Sequence, residues 1–578
     1  MAGKTLLRTV AGFSVLALAL SGCGTGDGAA DGRGFAGCDT DPSTCNSGER
    51  AEGGSVTWGI EPGWNGWHQL SAEYNSIYTN HAIAPMTPVL GDFDPDGNWQ
   101  FNNGILTGEP QLVDEDPMTV SYPLNPDATW GDGRELSLED VKLSWYALSG
   151  DEEKCDGCRP VSTDWGSQVA KVDRDGDDIV ITYKKGFHSA EWKYMGTLFS
   201  LPSHKAARGW QKDPALLAET IDDLGASMPD WSAGPYIPVD GKAGEYVTYE
   251  PNPEWAGSTQ PTLDELQIKT FDDLGAIVDS LRNGEIDGAA PSQVTSDDLS
   301  ALHGTEGVDY NVAPGASWEL ISFNLDNRFL SDRALRQAVF SAVDTDLIVD
   351  RTAATVLPGA EKKGNHIFRS DSVHYSDELA GTGQGSGDAE RAIQILKEAG
   401  YSWESEGGTL LDPSGEKVHL RFSFNNGNEN RRTIAEVVQA LLSDIGITVE
   451  IDAYTASIGE TLVDGDYDMI VHGWSSSATF TSAPGNYWGS ESPQNFGGLE
   501  SDDIDSTVGD LKATGDLEKA ADLANQAVAE VVEEAYVLPL FDTPAAIMAN
   551  ESLVNVRDNW ASLQRPFYNV AEWGMADE

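Results

Sequence analysis

The chain has 578 residues, 40% of them apolar, with 17 each of Trp, Tyr and Phe; that can build large cores and, at ~150 residues per domain, at least two lobes. Its 94 acidic against 36 basic residues leave a formal charge of −58. Such an excess excludes nucleic acid and anionic lipid surfaces as partners, since both need positive charge, and suits solubility outside the cell.

Lys4 and Arg8 precede an apolar run from Val10 to Leu20, followed by Ser21, Gly22 and Cys23. Basic, apolar and small segments in that order describe a secretory signal peptide over residues 1–22, with a run too short to span a bilayer. A cysteine directly after the small residues resembles the lipobox of bacterial lipoproteins. That resemblance implies that Cys23 is acylated and becomes the first mature residue, with each membrane-buried methylene contributing about 0.8 kcal/mol to the anchor. Residues 23–54 are rich in Gly, Ser and Asp without apolar periodicity and read as a flexible tether. Ser55–Ile60 is the first predicted strand. The loop after it, Glu61-Pro62-Gly63-Trp64-Asn65-Gly66-Trp67, sets two tryptophans among glycines where they are hard to bury. Glu61, Trp64 and Trp67 are therefore candidate ligand contacts.

Asp92, Asp94 and Asp96 with Gly97 look like the start of a calcium loop, but Asn103 stands where the terminal glutamate belongs. Asp173, Asp175 and Asp177 alternate without the glycine and glutamate of such a loop, so both stretches read as turns between strands. From Tyr122 to Val141 the pattern is a strand, a Gly131-Asp132-Gly133 turn and a helix whose Ser137 and Asp140 form a capping box. Cys38, Cys45, Cys155 and Cys158 are an even number in an exported chain, consistent with two disulfides. Cys38–Cys45 and Cys155–Cys158 are the pairs closest in sequence, although four cysteines allow three connectivities. No second cysteine pair at zinc-ribbon spacing and no ligand-spaced histidines support a metal, and no cofactor is expected.

Asp388 caps a predicted helix carrying Ala392, Ile393, Leu396 and Ala399, closed by Gly400. Val418, Leu420, Phe422 and Phe424 alternate as a half-buried strand. Ile434, Val437, Val438, Leu441, Leu442 and Ile445 follow at helical spacing up to Gly446, and Ile447, Val449 and Ile451 alternate again. Strand, helix and strand in this order predict a βαβ unit and hence a parallel sheet.

Several short stretches together resemble family 5 solute-binding proteins of ABC importers, the oligopeptide, dipeptide and nickel binders. They are Tyr122–Val141, Leu201-Pro202-Ser203-His204, Ala233-Gly234-Pro235-Tyr236, Asn252-Pro253-Glu254-Trp255, Leu281–Asp287, Ser331–Ala338, Glu398–Tyr401, Gly473-Trp474 and Trp573, collinear over most of the chain. The resemblance implies an α/β, two-lobed periplasmic-binding-protein-like fold of the large peptide-binder class, with a hinge between lobes. It places lobe I at 55–310 with 536–578 returning to it, and lobe II at 311–535. It also implies a monomer that binds a peptide or other small polar ligand and works with permease and ATPase subunits from the outer face of the cell membrane.

In the family's peptide binders, an aspartate three residues after the motif tryptophan pairs with the ligand's α-amino group. Here Trp474 matches the tryptophan, but Ser477 stands in the aspartate's place and brings no opposing charge. Either another carboxylate such as Glu61 takes the amine, or the ligand has none. Trp474, Ser475, Ser476, Ser477 and His472 join the candidate contacts. An alternative reading keeps the fold but assigns an envelope-regulatory or glycolipid-recognising role, as for some actinobacterial lipoproteins of the family. The sequence carries no nucleophile elbow and no His-Glu-x-x-His helix, so it is read as a binding protein and not an enzyme.

Overall fold

A computed structural model describes residues 34–38, 40–405, 407–455 and 458–577. The signal peptide and Cys23 lie outside the described residues. The spine is a ten-stranded mixed sheet. In chain order its strands are β1 (Ser55–Ile60), β2 (Tyr236–Lys242), β3 (Tyr246–Pro251), β4 (Glu265–Thr270), β5 (Gly288–Ala289), β6 (Val308–Phe323), β7 (His419–Asn425), β8 (Thr448–Tyr454), β9 (Met469–Ser475) and β10 (Val537–Asn550). They lie side by side as β8-β7-β9-β6-β10-β5-β1-β4-β3-β2.

Two strands join the halves. β6 and β10 run antiparallel for 16 and 14 residues, far beyond the usual strand of about 5–6. Val308–Pro314 pairs with Asn550–Pro544, and Trp318–Ser322 pairs with Asp542–Val537. Between these blocks β6 advances from Pro314 to Trp318 while β10 advances only from Pro544 to Asp542. Such a bulge bends and twists a two-stranded ribbon, and here it lies where one core ends and the next begins. On one side, Val56, Trp58, Tyr122, Trp130 and Ile268 pack with Phe567 and Trp573 of the C-terminal tail, Trp58 and Trp573 having ring centroids 4.7 Å apart. On the other, Ile321, Phe323, Phe422, Ile434, Val471 and Leu538 form the lobe II core.

Local sequence rules account for the elements that position the site. Helix α1 (Ile77–Ile83) starts where the Ser76 hydroxyl accepts the Tyr78 N–H. In α2 (Leu138–Ala147) the Ser137–Asp140 capping box is present as expected, and Asp140 also accepts the Ser203 N–H at 2.6 Å. Helix α3 (Ala389–Glu398) is capped by Asp388, which accepts the Arg391 N–H. The expected βαβ unit is β7, helix α4 (Glu429–Asp444) and β8, the two strands parallel with His419 opposite Thr448. α4 buries Ile434, Ala435, Val438 and Leu442 against them. The disulfides join Cys38 to Cys45 and Cys155 to Cys158. The aspartate-rich stretches are hairpin turns, with Asp94 accepting the Asp96 and Asn98 N–H groups.

One expectation is corrected. Residues 34–38 and 40–54, read as part of a flexible tether, pack against lobe I. Phe35 is buried, its N–H donates to Asp309, and the Asn46 side-chain amide donates to the Leu553 and Val556 carbonyls. The Arg557 Nε donates to the Cys45 carbonyl at 2.7 Å. A short disulfide-closed loop supplies its own turn, so it needs no apolar periodicity to pack, and periodicity was the signal used to judge it.

Candidate functional site

The two lobes face one another across a cavity of about 440 Å³, within the ~300–1,000 Å³ of small-molecule sites. Lobe I lines it with Glu61 after β1, Tyr78 and His81 on α1, and Ser292; the hinge strand adds Ala316 and Ser317; lobe II adds Ser475, Ser476 and Ser477; the tail adds Trp560, Leu563 and Arg565.

Glu61 is half-buried, and its Oε2 accepts the Ser292 N–H and hydroxyl, both at 3.0 Å. Burial first, and then the Glu61 charge, push the Tyr78 phenol up from its ordinary value. Arg565 faces the same space but is already paired. Its Nε and Nη2 donate to the two oxygens of Asp558, each at 2.7 Å, a bidentate pair that fixes the guanidinium. Arg565 holds this pose at a φ of 50°, a left-handed conformation uncommon for a residue with a side chain.

On lobe II, β9 pairs with β6 through Trp474–Trp318 and Ser475–Ser317, which brings the chain after Trp474 to the hinge. The Ser476 N–H donates to the Ala316 carbonyl, and its hydroxyl to the Ile367 carbonyl at 3.0 Å. Ser477 is half-buried; its hydroxyl accepts the Thr479 N–H and bonds the Thr479 hydroxyl. Trp474 is half-buried and stacks on Tyr487 of helix α5 (Ala483–Trp488), with centroids 4.1 Å apart and planes 8° apart.

The cavity thus brings together Glu61, Ser475, Ser476 and Ser477, while Trp474 stands behind them against Tyr487. Three expected contacts are elsewhere and are corrected. Trp64 and Trp67 are buried in the lobe I core at 3% and 1% exposure, edge-to-face with each other at 5.0 Å, and the Trp64 Nε1 donates to the Gly66 carbonyl. His472 is buried in lobe II, its Nε2 bonded to the Ser322 hydroxyl at 2.9 Å. Burial, with Arg431 nearby, lowers its pKa to about 3, so it is a neutral core group. Trp318 and Trp488 are fully buried as well.

Residues not anticipated are Tyr78, His81, Ser292, Trp560, Arg565 and Glu191. Glu191 reaches from lobe I into the lobe II loop after Ser477. Its Oε1 accepts the Phe480 N–H at 2.6 Å and its Oε2 accepts the Thr481 hydroxyl at 2.6 Å. Beside the cavity, the Arg369 guanidinium of lobe II lies 4.5 Å from the Trp560 ring centroid and donates to the Pro314 and Gly315 carbonyls of the hinge. Only the α1 face carrying Tyr78 and His81 three residues apart left a trace in the sequence. The others are brought in by chain remote from them.

The sequence profile described as bacterial extracellular solute-binding proteins, family 5 Middle, matches residues 105–497. The chain belongs to that family. The oligopeptide-binding protein OppA of Mycobacterium tuberculosis is 26% identical over 559 residues, covering 94% of this chain and 90% of its own. Among solved structures, the periplasmic EDTA-binding protein EppA superposes with a TM-score of 0.85 at 28% identity, over 93% of this chain and 99% of that one. The oligopeptide-binding protein AppA of Bacillus subtilis, solved in complex with a nonapeptide, gives a TM-score of 0.70 at 21% identity, over 92% and 100%. The two-lobed family 5 architecture expected from the motifs is therefore the fold of this chain. Among the described residues no helix is long and apolar enough to cross a membrane.

Proposed function

We propose that this chain is the extracytoplasmic receptor of an ABC importer, capturing a peptide or similar polar solute between its lobes and delivering it to permease and ATPase subunits. It acts as a monomer, performs no chemistry, and is held to the outer face of the cell membrane by acyl chains on Cys23. Residues 55–310 with 536–578 act as lobe I and 311–535 as lobe II. The observation that carries this reading is the cavity lined from both lobes, with Glu61 on one wall and Ser475, Ser476 and Ser477 on the other. A solute bound there touches both bodies, and only such a solute favours the closed arrangement over an open one. Glu61, bonded by neutral groups, supplies the charge that Ser477 lacks. Trp474, braced by Tyr487, holds the serine wall in place.

A polyanionic chelator such as the one named for EppA fits this cavity less well. Arg565 is already paired with Asp558, and Glu61 adds a negative charge. A glycolipid is the second reading. Ile77 and Leu563, both exposed apolar side chains, line the same cavity and suit an acyl chain.

Native mass spectrometry of protein purified without denaturation tests the assignment. A ladder of co-purifying peptides is expected; a co-purifying glycolipid with no peptide would replace the first reading by the second. Cys23→Ala is expected to move the protein from the membrane to the soluble fraction; retention in the membrane would remove the proposed anchor.

A further inference from the structure

His81 is enclosed on the lobe I wall of the cavity, with 6% of its surface exposed. Its two ring nitrogens have different fates. A hydrogen bond ties the ring to the Leu563 backbone, whereas Nε2 is buried with no partner. The bond therefore belongs to Nδ1, and because a backbone carbonyl only accepts, Nδ1 carries the proton. Nε2 is left with a free lone pair, the arrangement in which a second contact fixes which ring nitrogen does the work. Burial lowers the His81 pKa to about 3, the Arg565 charge adding to it and the Asp558 charge opposing, so the ring stays neutral at any physiological pH.

Buried acceptors are satisfied in native proteins with few exceptions, and each exception calls for an explanation. The void beneath the ring, shared with Glu61, Tyr78, Ile277 and Phe567, is about 10 Å³, room for one water at most. The larger cavity also opens on the ring, and its charges are unbalanced. Arg565 is paired with Asp558, and Glu61 is bonded by neutral groups, those of Ser292 and the Tyr78 hydroxyl, so one negative charge is left over.

We infer that His81 and Glu61 form a subsite for a cationic hydrogen-bond donor, the ammonium of the captured solute, with one N–H directed at His81 Nε2 and the charge at Glu61. The inference rests on the importer reading above and moves amine recognition from the serine loop of lobe II to the helix α1 wall of lobe I. His81 sets specificity: an uncharged or blocked amine gives Nε2 and Glu61 less than a free ammonium does.

The test uses the full chain with pentaalanine carrying a free or an acetylated amino terminus, bound calorimetrically to wild type, His81→Asn and His81→Gln. The Asn amide nitrogen stands near the Nδ1 position, keeping the donor to Leu563 while removing the acceptor at ε; Gln restores an oxygen near Nε2. The wild type is expected to prefer the free amine by roughly tenfold, the scale of one hydrogen bond to a charged group. That preference should collapse in His81→Asn and return in part in His81→Gln. A free-to-acetylated ratio unchanged in His81→Asn would overturn the inference even if both affinities fell, since a merely structural histidine weakens both peptides together. Binding of neither peptide to the wild type would overturn the peptide reading and the subsite with it. In 15N-histidine NMR of the wild type, free pentaalanine should move the Nε2 resonance; a resonance that does not move means a resident water satisfies the atom, and the inference falls.

Discussion

Arg431 enters the lobe II core from α4 and meets Glu319 of β6 in a bidentate pair, Nε to Oε2 at 2.9 Å and Nη2 to Oε1 at 2.8 Å, both side chains largely enclosed. Nη1 goes to Asn425 of β7 at 2.9 Å, so one side chain ties the helix to two strands. Removing one partner strands the other charge in the interior, at a cost of about 3–5 kcal/mol. Arg431→Leu is accordingly expected to lower the urea-unfolding free energy by about that much; a loss under about 1 kcal/mol would show that water reaches Glu319. At this scale little of the site was legible. Glu61 and the three serines could be placed because they follow recognisable strands. Trp64 and Trp67 could not, because the segments that bury them, including the helix Pro214–Ala226 whose Gly225 carbonyl takes the Trp67 N–H, come much later in the chain. His81 owes its role to Leu563, and Glu191 to Phe480, pairings that no local pattern announces.

The loop from Ser476 to Thr481 is held at both ends by other elements. Ser476 is bonded to the hinge strand and to Ile367, and the Phe480 and Thr481 N–H groups end on Glu191 of the opposite lobe. Burial raises the Glu191 carboxyl pKa, and the donors from Thr481 and Phe480 oppose that rise. Glu191→Ala deletes the cross-lobe bonds without touching the cavity. Faster amide exchange at Phe480 and Thr481 is expected, with weaker ligand binding and unchanged exchange in β7 and α4; unchanged exchange at the two amides would mean that lobe II holds the loop alone. Elements were far more legible than contacts. The α2 capping box, the Asp388 cap and the β7-α4-β8 unit depend on neighbours within a few residues or on one long apolar stripe. The exceptional lengths of β6 and β10 were hidden because a strand crossing two lobes changes the partner of each face along its course.

For the whole molecule, four buried histidines set an acid limit, among them His68, whose pKa burial lowers. Burial lowers His81 to about 3, His366 to about 4 and His472 to about 3, each from 6.5. The unfolded chain takes up these protons near pH 6.5 and the folded chain does not, so stability falls as pH drops from 6.5 toward 4. Each group contributes at most about 1.4 kcal/mol per pH unit in that window. Asp92, raised by burial to about 6, works in the opposite sense, as do Glu191 and Asp287, whose carboxyls burial also raises; the histidines outweigh them. A thermal midpoint that falls steadily between pH 6.5 and 4 is expected, with a shallower slope in His472→Phe; equal slopes would place the acid sensitivity elsewhere.

The packed N-terminal segment, residues 34–38 and 40–54, has a mechanical consequence. Every hydrogen bond described between it and the rest of the chain ends on β6 ahead of the bulge, on the Asp96 turn, at Gln260, Thr262 or Asp264 beside β4, at Glu265 where β4 starts, or on the tail from Leu553 onward, all on the lobe I side. Tension arriving from the N-terminal side is therefore delivered to a single rigid body. It has no line of action across the cleft, so a pull on the mooring neither pries the lobes apart nor squeezes them together. Lobe II turns against that body on the β6–β10 ribbon, and its position is set by contacts across the cleft, the Glu191 bonds to Phe480 and Thr481 and the captured solute, not by the mooring.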